Sequence, residues 1–530
     1  MSKKLLVLTL VLVGAFASMA GAQVSIDDTK NPWFFSYGGA SSIIAPFNMA
    51  GTVLNPEGKG DLLIFPYYET RKLDGKAQQT VFAIINEGLG TTNGGVAAKL
   101  RFREWDKSVE VFDIDIWLSI NDVWIGTISQ SAGGSAQLST PDWVIIDYDD
   151  CFFELKKAFV DGEGGPVEFA TFNLPKGSTN LYGYFEVIGE ELTDPEAKTA
   201  NGTTTVLRKC FLYESDYVYS DCPNTLMGYA YIVRLEDGVG LGYTATAIAN
   251  FYKSDVTIEC NGPFGCFTAI DPLFAGPGSQ FPRMDAGQDT LDAIEFNLSK
   301  AYLYVPYALE TSIKGATTQL ITFPTKHFHF ADKAPWSIIT KFDSNKNWGM
   351  PFTGTTSNTG EEVIVRLFDR NEKEDKTPTF TSPQPEAGKI SLPFELMLIG
   401  FYKGSSTPVG RANLGFSTKT FESGWTRWDL MFKTESGSPD PVLNHYAFPH
   451  LIWDKFGYGA GIPECTGFNY WDNEFMFYGG LPAIVYTIAE ASVGEFNFFG
   501  EMIPTPYENS WGLGDFCDFM PHSIADLDSK

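Results

Sequence analysis

Val111-Phe112-Asp113-Ile114-Asp115-Ile116-Trp117-Leu118-Ser119 alternates residue by residue. Phe112, Ile114, Ile116 and Leu118 point one way; Asp113, Asp115, Trp117 and Ser119 point the other. Period-two alternation marks a strand with one dry face. Leu100 and Phe102, set between Lys99, Arg101 and Arg103, repeat the pattern just upstream, and Ile390, Leu392, Phe394, Leu396 and Leu398 repeat it far downstream. Leu62 to Phe65 and Val81 to Ile85 are apolar on both faces, as expected of central strands. Gly, Pro, Asn and Asp clusters separate these runs at short intervals. Two stretches, 153–160 and 195–200, are expected as short helices. The fold class is all-β.

The chain echoes itself. Leu63-Ile64-Phe65-Pro66-Tyr67 returns as Leu303-Tyr304-Val305-Pro306-Tyr307, with Gly75 and Gly315 following at the same distance. An apolar strand, a basic-apolar strand and an alternating strand follow each copy in the same order. This predicts two tandem β-sandwiches, immunoglobulin-like or jelly-roll-like. The N-terminal sandwich, with insertions, takes 23–290 and the C-terminal one 291–530. The Gly/Pro-rich stretch 272–288 suits the linker.

Residues 1–22 read as a cleaved signal peptide: Lys3 and Lys4, an apolar run from Leu5 to Phe16, and Ala20-Gly21-Ala22 before Gln23. The run is too short to span a bilayer, and no later apolar stretch reaches the required length, so no integral membrane segment is expected. Gln23 is not a lipid-anchor cysteine, and the polar C-terminus lacks a barrel-closing strand. The chain is expected to be exported, to the periplasm, the cell surface or beyond.

The formal net charge is −27 over 530 residues, and loss of Lys3 and Lys4 makes it more negative. Phosphate backbones would repel such a chain, which excludes nucleic acid as a partner. In an exported chain the seven cysteines read as disulfides. Cys210 with Cys222, Cys260 with Cys266, and Cys465 with Cys517 are the expected pairs, leaving Cys151 over.

The run Gly60-Asp61-Leu62-Leu63-Ile64-Phe65-Pro66-Tyr67-Tyr68, the strand Lys99-Leu100-Arg101-Phe102-Arg103-Glu104 and the turn Leu118-Ser119-Ile120-Asn121-Asp122-Val123-Trp124-Ile125-Gly126 together carry a resemblance. They are similar to segments of a family of secreted bacterial β-rich proteins with no assigned activity. Ile120 and Asn121 depart from the family's Pro-Tyr at that turn. The resemblance implies an exported bacterial β protein and brings no site residues with it.

Three constellations invite chemistry. Trp117 beside Asp113 and Asp115 forms the aromatic-plus-acid face that carbohydrate-binding sandwiches present. Asp147, Asp149 and Asp150, leaving a strand, offer oxygens that can chelate calcium; beyond that possible ion no cofactor is expected. His327 and His329, two apart on an expected strand, would share a face and bind a transition metal, with His445 and His450 available to complete the set. No nucleophile elbow, zinc-protease helix or phosphate loop occurs. The expectation is a non-enzymatic protein with a structural or interaction role, meeting itself, another surface protein or a glycan. The runner-up is a carbohydrate binder assisted by calcium, and the third a polysaccharide hydrolase using a carboxylate pair.

Overall fold

A computed structural model describes residues 53–73, 75–88, 94–148, 152–157, 166–207, 224–236, 239–249, 294, 298–300, 302–309, 315–329, 361–375, 379–380, 389–404, 410–418, 421–430, 481–493, 496–504 and 507–508. The signal peptide and all seven cysteines lie outside them. The principal strands of the first half are β1 (Leu62–Glu69), β2 (Gln79–Asn86), β3 (Gly95–Glu104), β4 (Glu110–Leu118), β5 (Asp122–Gln130), β6 (Trp143–Tyr148), β7 (Phe152–Lys157), β8 (Tyr182–Thr193), β9 (Thr203–Leu207), β10 (Leu226–Arg234), β11 (Val239–Thr244) and β12 (Thr246–Ala249). Those of the second are β13 (Tyr302–Ala308), β14 (Ala316–Thr322), β15 (Glu361–Asp369), β16 (Lys389–Leu392), β17 (Leu396–Tyr402), β18 (Ser423–Asp429), β19 (Ile484–Val493), β20 (Phe496–Pro504) and β21 (Tyr507–Glu508).

Each half is a sandwich of two sheets. Sheet I carries the order β12-β1-β8-β3-β4-β6-β7-β9, and sheet II the order β5-β2-β10-β11. In the second half, sheet III runs β21-β13-β18-β15, with β16 also on β15, and sheet IV runs β17-β14-β19-β20. Strands 1, 2, 3, 4, 5, 8, 10, 11 and 12 thus correspond, in chain order and in sheet position, to strands 13 through 21. The strand order repeats as the sequence echo predicts. The first half adds β6, β7 and β9 to the end of sheet I.

Individual side chains confirm the correspondence. Thr80 at the start of β2 holds both backbone groups of Glu69, accepting its N–H at 2.8 Å and donating to its carbonyl at 3.1 Å. Thr317 in β14 accepts the N–H of Ala308 at 3.1 Å in the same way. Gly183 pairs with Glu104, and Gly424 with Asp369. A Cβ on Gly183 would lie 1.9 Å from the Arg103 carbonyl oxygen; on Gly424, 2.0 Å from that of Phe368. Glu104 accepts the N–H groups of Asp106, Lys107 and Val109 in the turn that follows it. Asp369 does the same for Asn371 and Lys373. Both turns hold a non-glycine residue at positive φ, Ser108 (53°) and Glu372 (63°).

The first interior is aromatic. Phe65 stacks on Phe185 at 4.2 Å, Phe185 on Phe102 at 5.0 Å, and Phe82 and Trp124 approach from sheet II. Pro66, which has no N–H for a ladder, sits in a bulge where Pro66 and Tyr67 together face the single residue Tyr184. Phe65 and Tyr68 therefore both turn inward, and Tyr67 turns out. In β13 the pairing with β18 runs without a break through Pro306. Tyr307 accordingly faces inward and stacks on Phe401 at 5.6 Å. The same five-residue echo sends its tyrosine in opposite directions.

Two expectations are corrected. Residues 153–157 are strand, paired with Trp143–Tyr148, and 198–200 form a short strand beside β9. The alternation from Ile390 to Leu398 is two strands in two sheets. Pro393 breaks it, and the buried Lys326 ammonium donates to the Leu392 and Pro393 carbonyls, each at 3.1 Å. One hydrophobic cluster joins the interior of the first sandwich to Leu320, Leu396, Leu398, Ile484, Tyr486 and Ile488 on the outer face of sheet IV. Gly39–Lys530 is accordingly one compact unit.

Gly183→Ala and Gly424→Ala should each cost at least about 2 kcal/mol in urea unfolding, because the new methyl meets backbone rather than a movable side chain. Gly240→Ala, whose Cβ would meet only the tip of Val233 at 3.3 Å, should change stability little.

Candidate functional site

A cluster of strongly perturbed ionisable groups lies in the seam between the sandwiches, where sheet IV covers the outer face of sheet I. Thr322 donates to the Pro66 carbonyl at 2.8 Å, using an acceptor that the bulge exposes. Tyr486 donates to the Thr244 carbonyl at 3.1 Å, and the Leu396 N–H to the Trp105 carbonyl at 2.9 Å. Trp105 is sandwiched between Tyr182 and Phe394.

Two charged groups of side chains fill the rest. Glu69, with no exposure, receives Arg71 through Nε at 2.9 Å and Nη2 at 2.7 Å, together with the Tyr67 hydroxyl. Arg71 lies 3.7 Å over the Tyr182 ring and donates to the Arg411 carbonyl at 2.9 Å; Arg411 in turn reaches Glu490 at 2.6 Å. Burial, then Glu69, pushes the Tyr67 phenol far above its ordinary value. Burial opposes the charge on Arg71, but Glu69 outweighs it and raises its pKa. In the second group Glu395 accepts from Ser108 and lies 3.6 Å from His327 Nδ1, while Ser108 also meets Tyr184 at 2.6 Å. Perturbed, buried groups of this kind occur both in active sites and in structural networks. Here Glu395 is met by the Ser108 hydroxyl of the opposing sandwich, while Glu69 and Glu490 are each paired within their own half and are joined through the Arg71 contact to the Arg411 carbonyl.

The sequence-predicted sites land elsewhere. Trp117 is 3% exposed and donates to Thr193 at 2.8 Å. It packs with Ala97, Ile145, Phe153, Leu155 and Val206 in a second small core on the outer face of sheet I. The added strands β6, β7 and β9 cover the ring face that a sugar would need, so the expected open platform is corrected. Lys99 sits between Asp113 (2.7 Å) and Asp115 (3.4 Å), which directs both carboxylates to an internal ammonium. Asp147 is exposed at the register shift of β6, and Asp149 and Asp150 lie outside the described residues. His327 and His329 are not on a strand but in a 3-10 turn, Lys326–His329, following Pro324. Among the described residues no three His, Cys, Asp or Glu side chains converge to hold a metal ion, and no helix is long and apolar enough to cross a membrane.

Two sheet faces are not covered by another sheet among the described residues. The outer face of sheet II carries Val81, Ala83 and Ile85 on β2, Val123 and Ile125 on β5, and Met227, Tyr229 and Tyr231 on β10. Val123 and Ile125 are 39% and 40% exposed. Gly242 leaves room for Tyr231 to lie across β11, since a Cβ there would be 2.7 Å from its ring. The outer face of sheet III is aromatic and basic. Arg427 lies 4.0 Å over Tyr302, Phe368 stacks on Trp425 at 4.2 Å, and Tyr304 and Arg366 complete it. Such a mixture of Trp, Tyr and Arg is the composition of binding hot spots. The sequence signal for both faces is the period-two spacing of Tyr229 with Tyr231 and of Tyr302 with Tyr304.

Arg71→Met leaves Glu69 buried without its cation and should cost about 3–5 kcal/mol in denaturant unfolding. Lys403→Ala, which removes an exposed ion pair with Glu422, should cost under about 1 kcal/mol. Lys300 is 4% exposed, and burial pushes its ammonium down to about 7. An unfolded lysine titrates near 10.4, so across the window from about 7 to about 10.4 the unfolded chain holds a proton that the folded chain has released. Stability from Lys300 should therefore climb with pH in that window. Lys300→Met should raise Tm at pH 7 and gain progressively less as the pH approaches 10, read by calorimetry.

No family model, curated protein or solved structure matches the chain.

Proposed function

We propose that this chain is an exported β protein that acts by contact, in a structural or interaction role in the periplasm, at the cell surface or outside, rather than by catalysis. The observation that carries this reading is the contrast between its interior and its ends. The Arg71–Glu69, Arg411–Glu490 and Ser108–Glu395 groups are committed to the junction of the two sandwiches, whereas the two end sheets present aliphatic, aromatic and arginine side chains to their surroundings. Interfaces are enriched in those residue types, and large apolar patches on a soluble surface mark partner sites. The leader-like first 22 residues support export, and the acidic balance supports a partner other than nucleic acid or an anionic membrane.

The test is fractionation followed by chemical cross-linking in the native cell. The mature chain, beginning near Gln23, is expected outside the cytoplasm and in cross-linked species heavier than one chain. A cytoplasmic chain, or an exported one recovered only as an uncross-linked monomer, would overturn the reading. So would binding on a glycan array that disappears in Trp425→Ala, which would make this a carbohydrate binder.

A further inference from the structure

The internal duplication says what fits the two open faces. Within one chain, the outer face of sheet IV lies against the outer face of sheet I. Sheet II is the counterpart of sheet IV in strand order, and sheet III the counterpart of sheet I. Every chain therefore keeps one unused copy of each half of its own seam.

The ladder register carries this to single residues. Thr80 and Thr317 hold the same position, so Ala83 corresponds to Leu320. Ala83 pairs with Ile125 on one side and Tyr229 on the other. Leu320 pairs with Leu398 and Tyr486. One position along, Val123 stands where Leu396 stands. The buried trio Leu396, Leu398 and Tyr486 thus recurs on sheet II as Val123, Ile125 and Tyr229, similar in chemistry but exposed or half-buried. On the opposing side, Gly183 and Gly424 fix Tyr184 as the counterpart of Trp425. Arg101, opposite Glu186 in β8, becomes Arg366, opposite Arg427. The seam position of Tyr184, whose hydroxyl reaches the Pro324 carbonyl at 3.4 Å, is thus filled on sheet III by a half-buried tryptophan.

We propose that copies of this chain associate head to tail, the outer face of sheet III of one copy seated on the outer face of sheet II of the next, repeating the contact between sheets I and IV. This rests on the interaction reading above and names its partner as a second copy. The contact is heterologous: it uses two different patches and leaves one of each free at the ends, so association continues beyond the dimer.

The experiment is sedimentation velocity on the mature full-length chain up to about 0.1 mM, a range that reveals Kd values down to the weak micromolar class. The wild-type chain is expected to give a concentration-dependent series of dimer, trimer and higher species. Ile125→Asp spoils sheet II, and Trp425→Asp spoils sheet III; each alone is expected to be monomeric. Mixed in equal amounts, they should form dimers and stop there, because each supplies the one face the other lacks. Val123→Lys and Arg427→Glu repeat the test on neighbouring positions, and unchanged circular dichroism and Tm verify the fold in every variant. A wild-type chain that stays monomeric at the highest concentration would overturn the proposal. So would dimers that survive in one single variant, or a mixture that gives no dimer. Heavier cross-linked species in the cell that contain only other proteins would leave the interaction reading standing while removing self-association.

Discussion

The central strands β1 of sheet I and β14 of sheet IV are buried on both faces, and the rest of the molecule follows from that constraint. A half-solvated antiparallel sheet needs one dry stripe per strand. Here β1 is buried along its whole length. One hydrophobic cluster fills the first sandwich and reaches across the seam to sheet IV, and a second fills the other sandwich. The bulge at Pro66 is what lets β1 serve both sides. It keeps Phe65 and Tyr68 in the aromatic interior while turning Tyr67 and Glu69 toward the second half.

A dry seam between two sheets cannot tolerate an unmatched charge, because transfer of an ion from water into such a place costs several kcal/mol. The solution is local pairing. Arg71 folds back from the bend after β1 onto Glu69 at the strand's end, and it links the halves by donating to the Arg411 carbonyl, while the Arg411 guanidinium is held by Glu490. Glu395 plays the matching part at the other group, reached from Ser108 at its positive-φ turn position. These contacts fix the register of one sandwich on the other, which apolar packing alone would leave free to slide.

Much of this was legible before any coordinates. Alternation placed β3 and β4 with their inner and outer faces, and the Pro-Tyr echo located β1 and β13 as counterparts. What stayed hidden was non-local. Trp117 sits on the polar side of its strand by pattern, but strands up to about 90 residues further along the chain cover it. His327 and His329 follow Pro324, and a single missing N–H converts an expected strand into a 3-10 turn. Ile390 to Leu398 alternates without interruption in sequence although Pro393 divides it between two sheets. In each case a tertiary cover or one proline overruled a correct local pattern. The apolar run Val81 to Ile85 reads as a strand dry on both faces, and Val81, Phe82, Ala83 and Ile84 are buried.

The account reduces to one face-to-face contact used within the chain and again between chains. A head-to-tail contact sets every chain in the same orientation relative to the next. Electron microscopy of cross-linked oligomers of the mature protein reads that polarity directly. The account predicts polar, unbranched rows of copies, each chain oriented like the last. A closed particle with two-fold symmetry, in which like sheets face each other, would contradict it.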